Sequence, residues 1–169
     1  MKTLFDVISE QAFFRGLSIE HLRLLAENAM ETWFEAGELI FHEGDLANRF
    51  YLIIEGEVAL ESSVVTGEAV VLQTLSPGEL LGWSWLFSPF IWRLHARAVE
   101  PTEAIFFYGT RLREQCELNH DLGYELVKRI SEVMMQRLQI ARGQFLDHLA
   151  ECPLRTGAKP GALKTPVVR

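Results

Sequence analysis

The stretch FHEGDLANRFYLIIEGEVAL, residues 41–60, decides the fold of this chain. It holds a run of large apolar residues between two turns that contain Gly44 and Gly56. A short apolar run bounded by turn residues is typical of a buried β-strand, and glycine adopts positive φ at the lowest cost. We therefore predict a strand over residues 50–55 with a tight turn at each end.

The same pattern continues on both sides of this stretch. Short β-favouring runs alternate with glycine-containing turns over residues 32–108, and no helical period is sustained there. The predicted strands cover residues 32–34, 39–41, 50–55, 57–64, 69–75, 94–99 and 104–108. This spacing favours a jelly roll or a roll-like barrel without choosing between them. The fold class is mainly β with flanking α.

Helical patterns flank the β block. Ser18 can cap a short amphipathic helix, and after Thr110 a short helix over residues 111–118 and a long one over about 121–149 follow. A helix of about 29 residues is roughly 43 Å long, more than the roll can cover. We predict that it pairs with a second copy in a homodimer, with purely intramolecular packing as the alternative. Its apolar stripe consists of Val127, Ile130, Met134, Leu138, Ala141, Phe145 and Leu149.

The charge of the chain is unevenly distributed. The net charge is -7, but residues 1–154 hold 12 basic and 23 acidic side chains, a net charge of -11. Such a body repels a phosphate backbone, so DNA binding is not expected. The last residues are rich in Pro, Gly and Lys, and we predict one domain over residues 1–150 and a tail over residues 151–169.

Membrane, secretory and catalytic signals are absent from the sequence. Asp6 and Glu10 interrupt the N-terminus where a signal peptide needs apolar residues, and residues 80–92 fall short of the roughly 20 apolar residues of a membrane helix. Cys116 and Cys152 form no CxxC motif, so a reducing cytoplasm is expected. No hydrolase, metalloprotease or nucleotide-binding motif occurs, nor the HxH of a roll-fold metal enzyme. We expect neither enzyme activity nor a metal site.

Several segments together resemble one family. Residues 41–60 resemble the signature of cyclic nucleotide-binding domains, in which an EGD turn precedes a YxIxxG strand and turn. LSPGELLGWSWLF, residues 75–87, resembles the entry to the family's phosphate-binding cassette, and LHARAVEPTEAIFF, residues 94–107, the strands that follow it. The resemblance spans residues 12–150 and implies a double-stranded β-helix (jelly-roll-like) with a short N-terminal helix and a long C-terminal helix.

The resemblance is to effector domains of the catabolite activator (Crp-Fnr) type, which are followed by a winged helix-turn-helix that reads DNA. Here about twenty residues follow the long helix, and they contain Pro153, Pro160 and Pro166. No recognition helix can be built from such a segment, so we expect the chain to lack the helix-turn-helix domain.

The resemblance also implies a ligand site. In the family, backbone N–H groups and an Arg hold the phosphate, and a Glu accepts from the ribose 2'-hydroxyl. Trp83 stands where the family has this Glu, and Trp92 where it has the Arg, with Arg93 one place away. Taking Glu79 as the cassette Glu is an alternative that lengthens the spacing to Arg93. The candidate residues are Gly78, Glu79, Leu80, Gly82, Trp83, Ser84, Trp85, Trp92, Arg93 and Arg97.

Three interpretations of this departure stay open. The tryptophans could fill the pocket of a ligandless structural or dimerisation module, or the pocket could be recast for another ligand, with Arg93 or Arg97 for an anion. The third is binding of a cyclic nucleotide through Glu79 and Arg93. We predict a regulatory sensor domain with an unconventional cassette that acts through an unidentified protein partner. Its ligand would be a cyclic nucleotide or another small anion, whereas Arg97 also fits a solvated outer strand face.

Overall fold

The computed structural model describes residues 2–63 and 69–151 of the chain. Of the predicted tail, residues 151–169, all but Glu151 lie outside the described residues, and Glu151 ends the long helix. By its contacts the chain divides into two compact units, Met1–Met134 and Met135–Arg169, and the division falls within the long C-terminal helix. The predicted domain boundary at residues 150 and 151 stays a prediction.

Two α-helices precede the β block. Helix α1, Leu4–Glu10, starts with a capping box in which Asp6 N donates to Thr3 Oγ1 at 3.2 Å and Thr3 N donates to Asp6 Oδ2 at 2.8 Å. A short 3-10 helix, Ala12–Phe14, leads to helix α2, Ile19–Glu27. Ser18 caps α2 as predicted, because its Oγ accepts from His21 N at 3.1 Å. Helix α1 was not predicted.

In the described part of the chain, eight strands form two antiparallel sheets of four strands each. One sheet has the order β1-β8-β3-β6 and the other β2-β7-β4-β5. The mainly β jelly-roll fold is thus confirmed, although β1 starts three residues earlier than predicted and the two-residue strand β6 was missed. The strands are β1 (Ala29–Phe34), β2 (Leu39–Phe41), β3 (Phe50–Glu55), β4 (Val58–Ser63), β5 (Ala69–Leu75), β6 (Leu80–Leu81), β7 (His95–Ala98) and β8 (Thr102–Phe107).

The core consists of two clusters, one on each face of the first sheet. Successive side chains of a strand point to opposite faces. In β3, Phe50 and Leu52 therefore join the cluster that includes residues of α1 and α2, whereas Tyr51 and Ile53 join the cluster that includes residues of the second sheet. Burial on both faces explains why the run from Phe50 is apolar without alternation.

The turn between β3 and β4 requires glycine for two reasons. Gly56 has φ +87, and a Cβ there would lie 2.5 Å from the carbonyl oxygen of Pro101. The β3–β4 turn thus approaches the β7–β8 turn more closely than any side chain permits. The positive φ predicted for Gly56, and for Gly44 at φ +89, is confirmed.

Two helices complete the described part. Helix α3 covers Gly109–Leu118 and helix α4 covers His120–Glu151. Within the first unit, α4 is anchored by the buried side chains Leu122, Leu126 and Ile130. Among the helices of residues 2–63 and 69–151, none is long and apolar enough to cross a lipid bilayer.

Candidate ligand-binding cassette

The candidate site is built around the segment between β6 and β7, residues 82–94, here called the cassette loop. Its start is fixed because β6 pairs with β3, with Leu81 opposite Tyr51. Its end is fixed to the EGD turn, since Trp92 N donates to Asp45 O at 2.9 Å and Gly44 N donates to Trp92 O at 2.9 Å. Both ends of the loop are therefore attached to residues 44–52, which lie within the segment 41–60 that resembles the family signature.

Trp92 is buried inside the roll. Its indole is 2% exposed and stacks on Phe41 with a ring-centroid distance of 3.9 Å and an interplanar angle of 12°. Gly82, at φ +83, faces this indole, and a Cβ at position 82 would lie 2.5 Å from Trp92 Cζ3. Trp92, which is predicted to stand at the position of the family's phosphate-binding Arg, is thus part of the core, and Gly82 makes room for it.

Trp85 is buried in the other cluster. It is fully buried and stacks on Phe50 at 4.9 Å and 16°, and its indole N–H has no hydrogen-bond partner. A Cβ on Gly109 would lie 3.0 Å from Trp85 Cβ, so the start of α3 packs closely against it. Trp83 is partly buried against the same cluster. The predicted tryptophans therefore do not converge on one pocket but enter two separate parts of the core.

Arg113 of α3 holds the middle of the cassette loop, a role that no local sequence pattern indicates. Its Nη1 donates to Trp85 O at 2.5 Å, and its Cζ lies 4.0 Å from the ring centroid of Phe90. Phe90 has φ +56, the left-handed region that a residue with a large side chain adopts at a cost. The cation–π contact with Arg113 helps to hold the loop in this conformation.

The alternative cassette glutamate, Glu79, is engaged within its own turn. Its Oε2 accepts from Ser76 N at 2.7 Å, and Gly78, at φ +86, donates its N–H to Ile53 O at 2.7 Å. Leu80 is buried in the first cluster, and Ser84 is half-buried in the loop. In this structure the Glu79 carboxylate stabilises the turn that leads into β6.

The two candidate arginines differ in their surroundings. Arg93 is exposed at the end of the loop. Arg97 lies in β7, where its Nε is 3.2 Å from Glu61 Oε1 and its Nη1 donates to Gly37 O at 2.9 Å. The Glu61 residue is only 8% exposed. Arg97 is thus half-exposed on the outer face but committed to an ion pair, which the prediction of a solvated side chain did not include.

Two histidines of the roll lie close together. The rings of His42 and His95 are 5.8 Å apart, and Glu43 N donates to His95 Nδ1 at 3.1 Å. In the described part of the chain, no group of three or more His, Cys, Asp or Glu side chains is placed to hold a metal ion. The His95 ring thus takes part in the hydrogen bonding of the EGD turn, and the His42 ring packs against it.

The two four-stranded sheets, the glycine-turned cassette loop and the flanking helices define a cyclic nucleotide-binding type of regulatory fold. The cyclic nucleotide-binding domain family model matches residues 31–119, and the chain belongs to this family. A putative cyclic nucleotide-binding protein of Geobacter metallireducens has a similar structure, with 31% identity and a TM-score of 0.73 over 82% of this chain and 99% of the other.

Regulators are prominent among the similar proteins. The cyclic AMP receptor protein of Thermus thermophilus is 30% identical over 127 residues, 73% of this chain and 59% of that protein. The global transcriptional regulator CRP of Salmonella typhimurium is 26% identical over 75% of this chain and 63% of its own length. A protein kinase A regulatory subunit from Trypanosoma brucei, at 17% identity and a TM-score of 0.70, shares the fold over 85% of this chain and 50% of that one. The chain spans about three fifths of the length of the curated relatives it matches.

Proposed function

We propose that this chain is a regulatory, ligand-sensing domain without catalytic activity, whose cassette does not use the Arg and Glu contacts expected of the family. The proposal rests on a contrast at the cassette loop between its backbone, which is held in place, and its side chains, which lack the expected ligand contacts. Gly82 and the hydrogen bonds to residues 44–47 keep the loop in place. The buried Trp92 is proposed to stand where the family has its phosphate-binding Arg. Because the body is acidic, a protein rather than DNA is the proposed partner.

The charges near the loop indicate that cyclic mononucleotides bind only weakly. A buried phosphate needs a cation that is free to pair with it. Arg97 already pairs with Glu61, and pairing it with a phosphate would leave that buried carboxylate without its cation. Arg93 is exposed, one residue beyond the buried Trp92. A ligand that binds beside this loop is therefore expected to be anionic but not to need an arginine at position 92.

A ligandless structural module is the second candidate function, and the packing of the tryptophans favours it. Trp92 and Trp85 are both buried and both stack on phenylalanine rings. Side chains of this size add a large apolar area to the core of a small domain. In this alternative the loop has only a structural role, and the protein partner recognises the fold itself.

Calorimetric titration with cyclic AMP, cyclic GMP and cyclic di-nucleotides, with tryptophan fluorescence in parallel, tests the sensor proposal. We expect no micromolar binding of either cyclic mononucleotide. Micromolar binding that is lost in Arg93→Ala would restore the usual role of the cassette and overturn the unconventional one. If a wider panel of small anions also leaves heat and fluorescence unchanged, the ligandless module becomes the better description.

We also propose that α4 forms a homodimer with its copy in a second chain. In the second unit, Leu138 and Phe145 are 60% and 62% exposed, and Ala141 between them is also exposed. In the first unit, Val127 and Met134 are exposed as well, whereas Ile130 is buried in the core and is therefore removed from the predicted stripe. A helix with this many exposed apolar side chains gains most of its stability from tertiary or quaternary packing.

Sedimentation equilibrium between 1 and 100 µM measures this association. Leu138→Glu combined with Phe145→Glu places charges on the proposed contact and should raise the dissociation constant at least about 100-fold, since burial of two apolar groups is lost. Gln139→Glu, on an exposed position of the same helix, is the matched control and should leave it nearly unchanged. A wild-type protein that is monomeric at 100 µM would refute the homodimer.

A further inference from the structure

Arg49 is a cation that pairs with no carboxylate in the described part of the chain. It directly precedes β3 and is half-buried, and its Nε atom is buried without any hydrogen-bond partner. Arg49 belongs to none of the ion pairs found within residues 2–63 and 69–151, which include Lys2–Glu10, His95–Glu43, Arg97–Glu61 and Arg129–Glu125. A buried N–H of a charged group that lacks an acceptor destabilises the protein.

The backbone that carries Arg49 is fixed by two elements. On one side, Thr110 N of α3 donates to Asn48 O at 3.2 Å, and a Cβ on Gly109 would lie 3.1 Å from Arg49 N. On the other side, Ala47 N donates to Phe90 O of the cassette loop at 2.7 Å. The guanidinium is thus presented from a rigid segment, which is a requirement for selective binding.

A second arginine lies on the same chain of aromatic contacts. The Cζ of Arg49 is 5.9 Å from the ring centroid of Phe106, the rings of Phe106 and Tyr108 are 4.7 Å apart, and the Cζ of Arg111 is 5.2 Å from the Tyr108 centroid. Tyr108 is held in turn by its hydroxyl, which contacts Met30 Sδ at 3.4 Å. Arg111 is exposed and takes part in none of the ion pairs of the described part. Both guanidinium groups rest on aromatic rings, which limits their freedom while leaving N–H groups available.

The neighbouring phenol adds no negative charge to this place. Tyr51 is 3% exposed, and its burial raises the pKa of the phenol to about 12, with a smaller opposing effect from the charge of Arg49. The Tyr51 side chain therefore stays neutral at every pH at which the protein is expected to work. The positive charge of Arg49 is not compensated locally.

We propose that Arg49 and Arg111 form a binding site for an oxyanion, the phosphate or carboxylate group of a small ligand, at the end of the first sheet where β3 begins and β8 ends. Two oxygens of a phosphate or carboxylate match the fork of N–H donors on a guanidinium, so the terminal N–H groups of Arg49 would hold the anion while its Nε stays buried. The site uses neither Trp92 nor Arg93, so it goes beyond the proposed cassette function and does not depend on it.

Titration with inorganic phosphate and with succinate, at constant ionic strength set by chloride, tests the site. Both calorimetry and the thermal midpoint are followed for wild type, Arg49→Gln, Arg111→Gln and the control Arg23→Gln, an exposed arginine of α2. We expect saturable binding in wild type and control. The dissociation constant should be about tenfold larger in Arg49→Gln, with a smaller increase in Arg111→Gln. Comparing phosphate with succinate shows whether the site prefers a phosphate or a carboxylate group.

Two outcomes would overturn the site. One is the absence of saturable binding of both anions to the wild type. The other is an equal response of wild type, both site variants and Arg23→Gln, which would indicate general screening. Arg49→Lys keeps the charge and the aliphatic stem, so it separates loss of binding from loss of fold, and it should bind more tightly than Arg49→Gln at an equal thermal midpoint.

Discussion

The indole ring of Trp92 covers the α-carbon of Gly82 so closely that a Cβ at position 82 would lie 2.5 Å from Cζ3 and 2.8 Å from Cη2 of the ring. The cassette glycine of this chain therefore serves the packing of a tryptophan in addition to its turn. Gly78 has a nearly identical φ of +86 but has no atom within 4 Å of the position of a Cβ. A side chain at position 78 would therefore add backbone strain alone, whereas one at position 82 would add both strain and a steric clash.

Replacing Gly82 with alanine should destabilise the protein more than replacing Gly78. Gly78→Ala adds backbone strain alone, about 1 kcal/mol. Gly82→Ala adds the displacement of Trp92 as well and should lower the free energy of unfolding by about 2 to 5 kcal/mol. Urea denaturation followed by tryptophan fluorescence measures both values. Equal losses would show that the indole moves aside freely.

The ion pair between Glu61 and Arg97 should contribute to stability although one partner is half-exposed. Arg97→Ala leaves the carboxylate of Glu61 buried without its cation, and we expect a loss of about 1 to 2 kcal/mol after allowance for solvent screening. Arg23→Ala, at an exposed position of α2, should stay within about 0.5 kcal/mol of wild type. A double-mutant cycle with Glu61→Ala gives the coupling, and a coupling near zero would show that the pair is not stabilising.

Cys116 should react slowly with alkylating reagents. Its partial burial raises the pKa of the thiol to about 11, and the nearby charge of Glu117 acts in the same direction. In a Cys152→Ser variant at pH 8, the folded protein should react with iodoacetamide at least about 100-fold more slowly than the urea-unfolded protein, because only the thiolate reacts. The rate should rise about tenfold per pH unit from pH 8 to 9.5. A rate that levels off near pH 8.5 would contradict a raised pKa.

Tyr51 should make stability fall at alkaline pH. Its folded-state pKa of about 12 lies above the ordinary value of 10.0, so the unfolded state loses this proton first. The stabilisation is complete below pH 10 and is lost as the pH rises from 10 towards 12. Between pH 9 and 11, wild type should lose about 1 kcal/mol more than Tyr51→Phe, in which this ionisation is removed. Parallel pH profiles of the two proteins would refute the assignment.

Local patterns predicted most of the fold. The apolar run between Gly44 and Gly56 predicted β3, and Ser18 predicted the start of α2, because turns and caps depend on neighbouring residues. Helix α1 was missed although Thr3 and Asp6 have the spacing of a capping box. Strand β6 was missed because two residues are too few to show a period.

The contacts that define the site could not be predicted in this way. Arg113 and Trp85 are 28 residues apart in the chain, and Arg97 and Glu61 are 36 apart. Such pairs depend on which strands and helices become neighbours, and a single sequence does not contain that information. For the same reason the sequence did not single out Arg49. The ligand of the cassette and the homodimer through α4 stay predictions.

The cassette loop is fastened at its start by β6, in its middle by Arg113 and at its end by the EGD turn. A segment held at three points loses little conformational entropy when a ligand binds beside it. Association of a ligand with the loop should then show a single bimolecular kinetic phase without a slow closing step. Its rate constant should depend on diffusion and on the sign of the ligand's charge. Any signal would have to leave through small adjustments of α3, since Arg113 connects that helix directly to the loop.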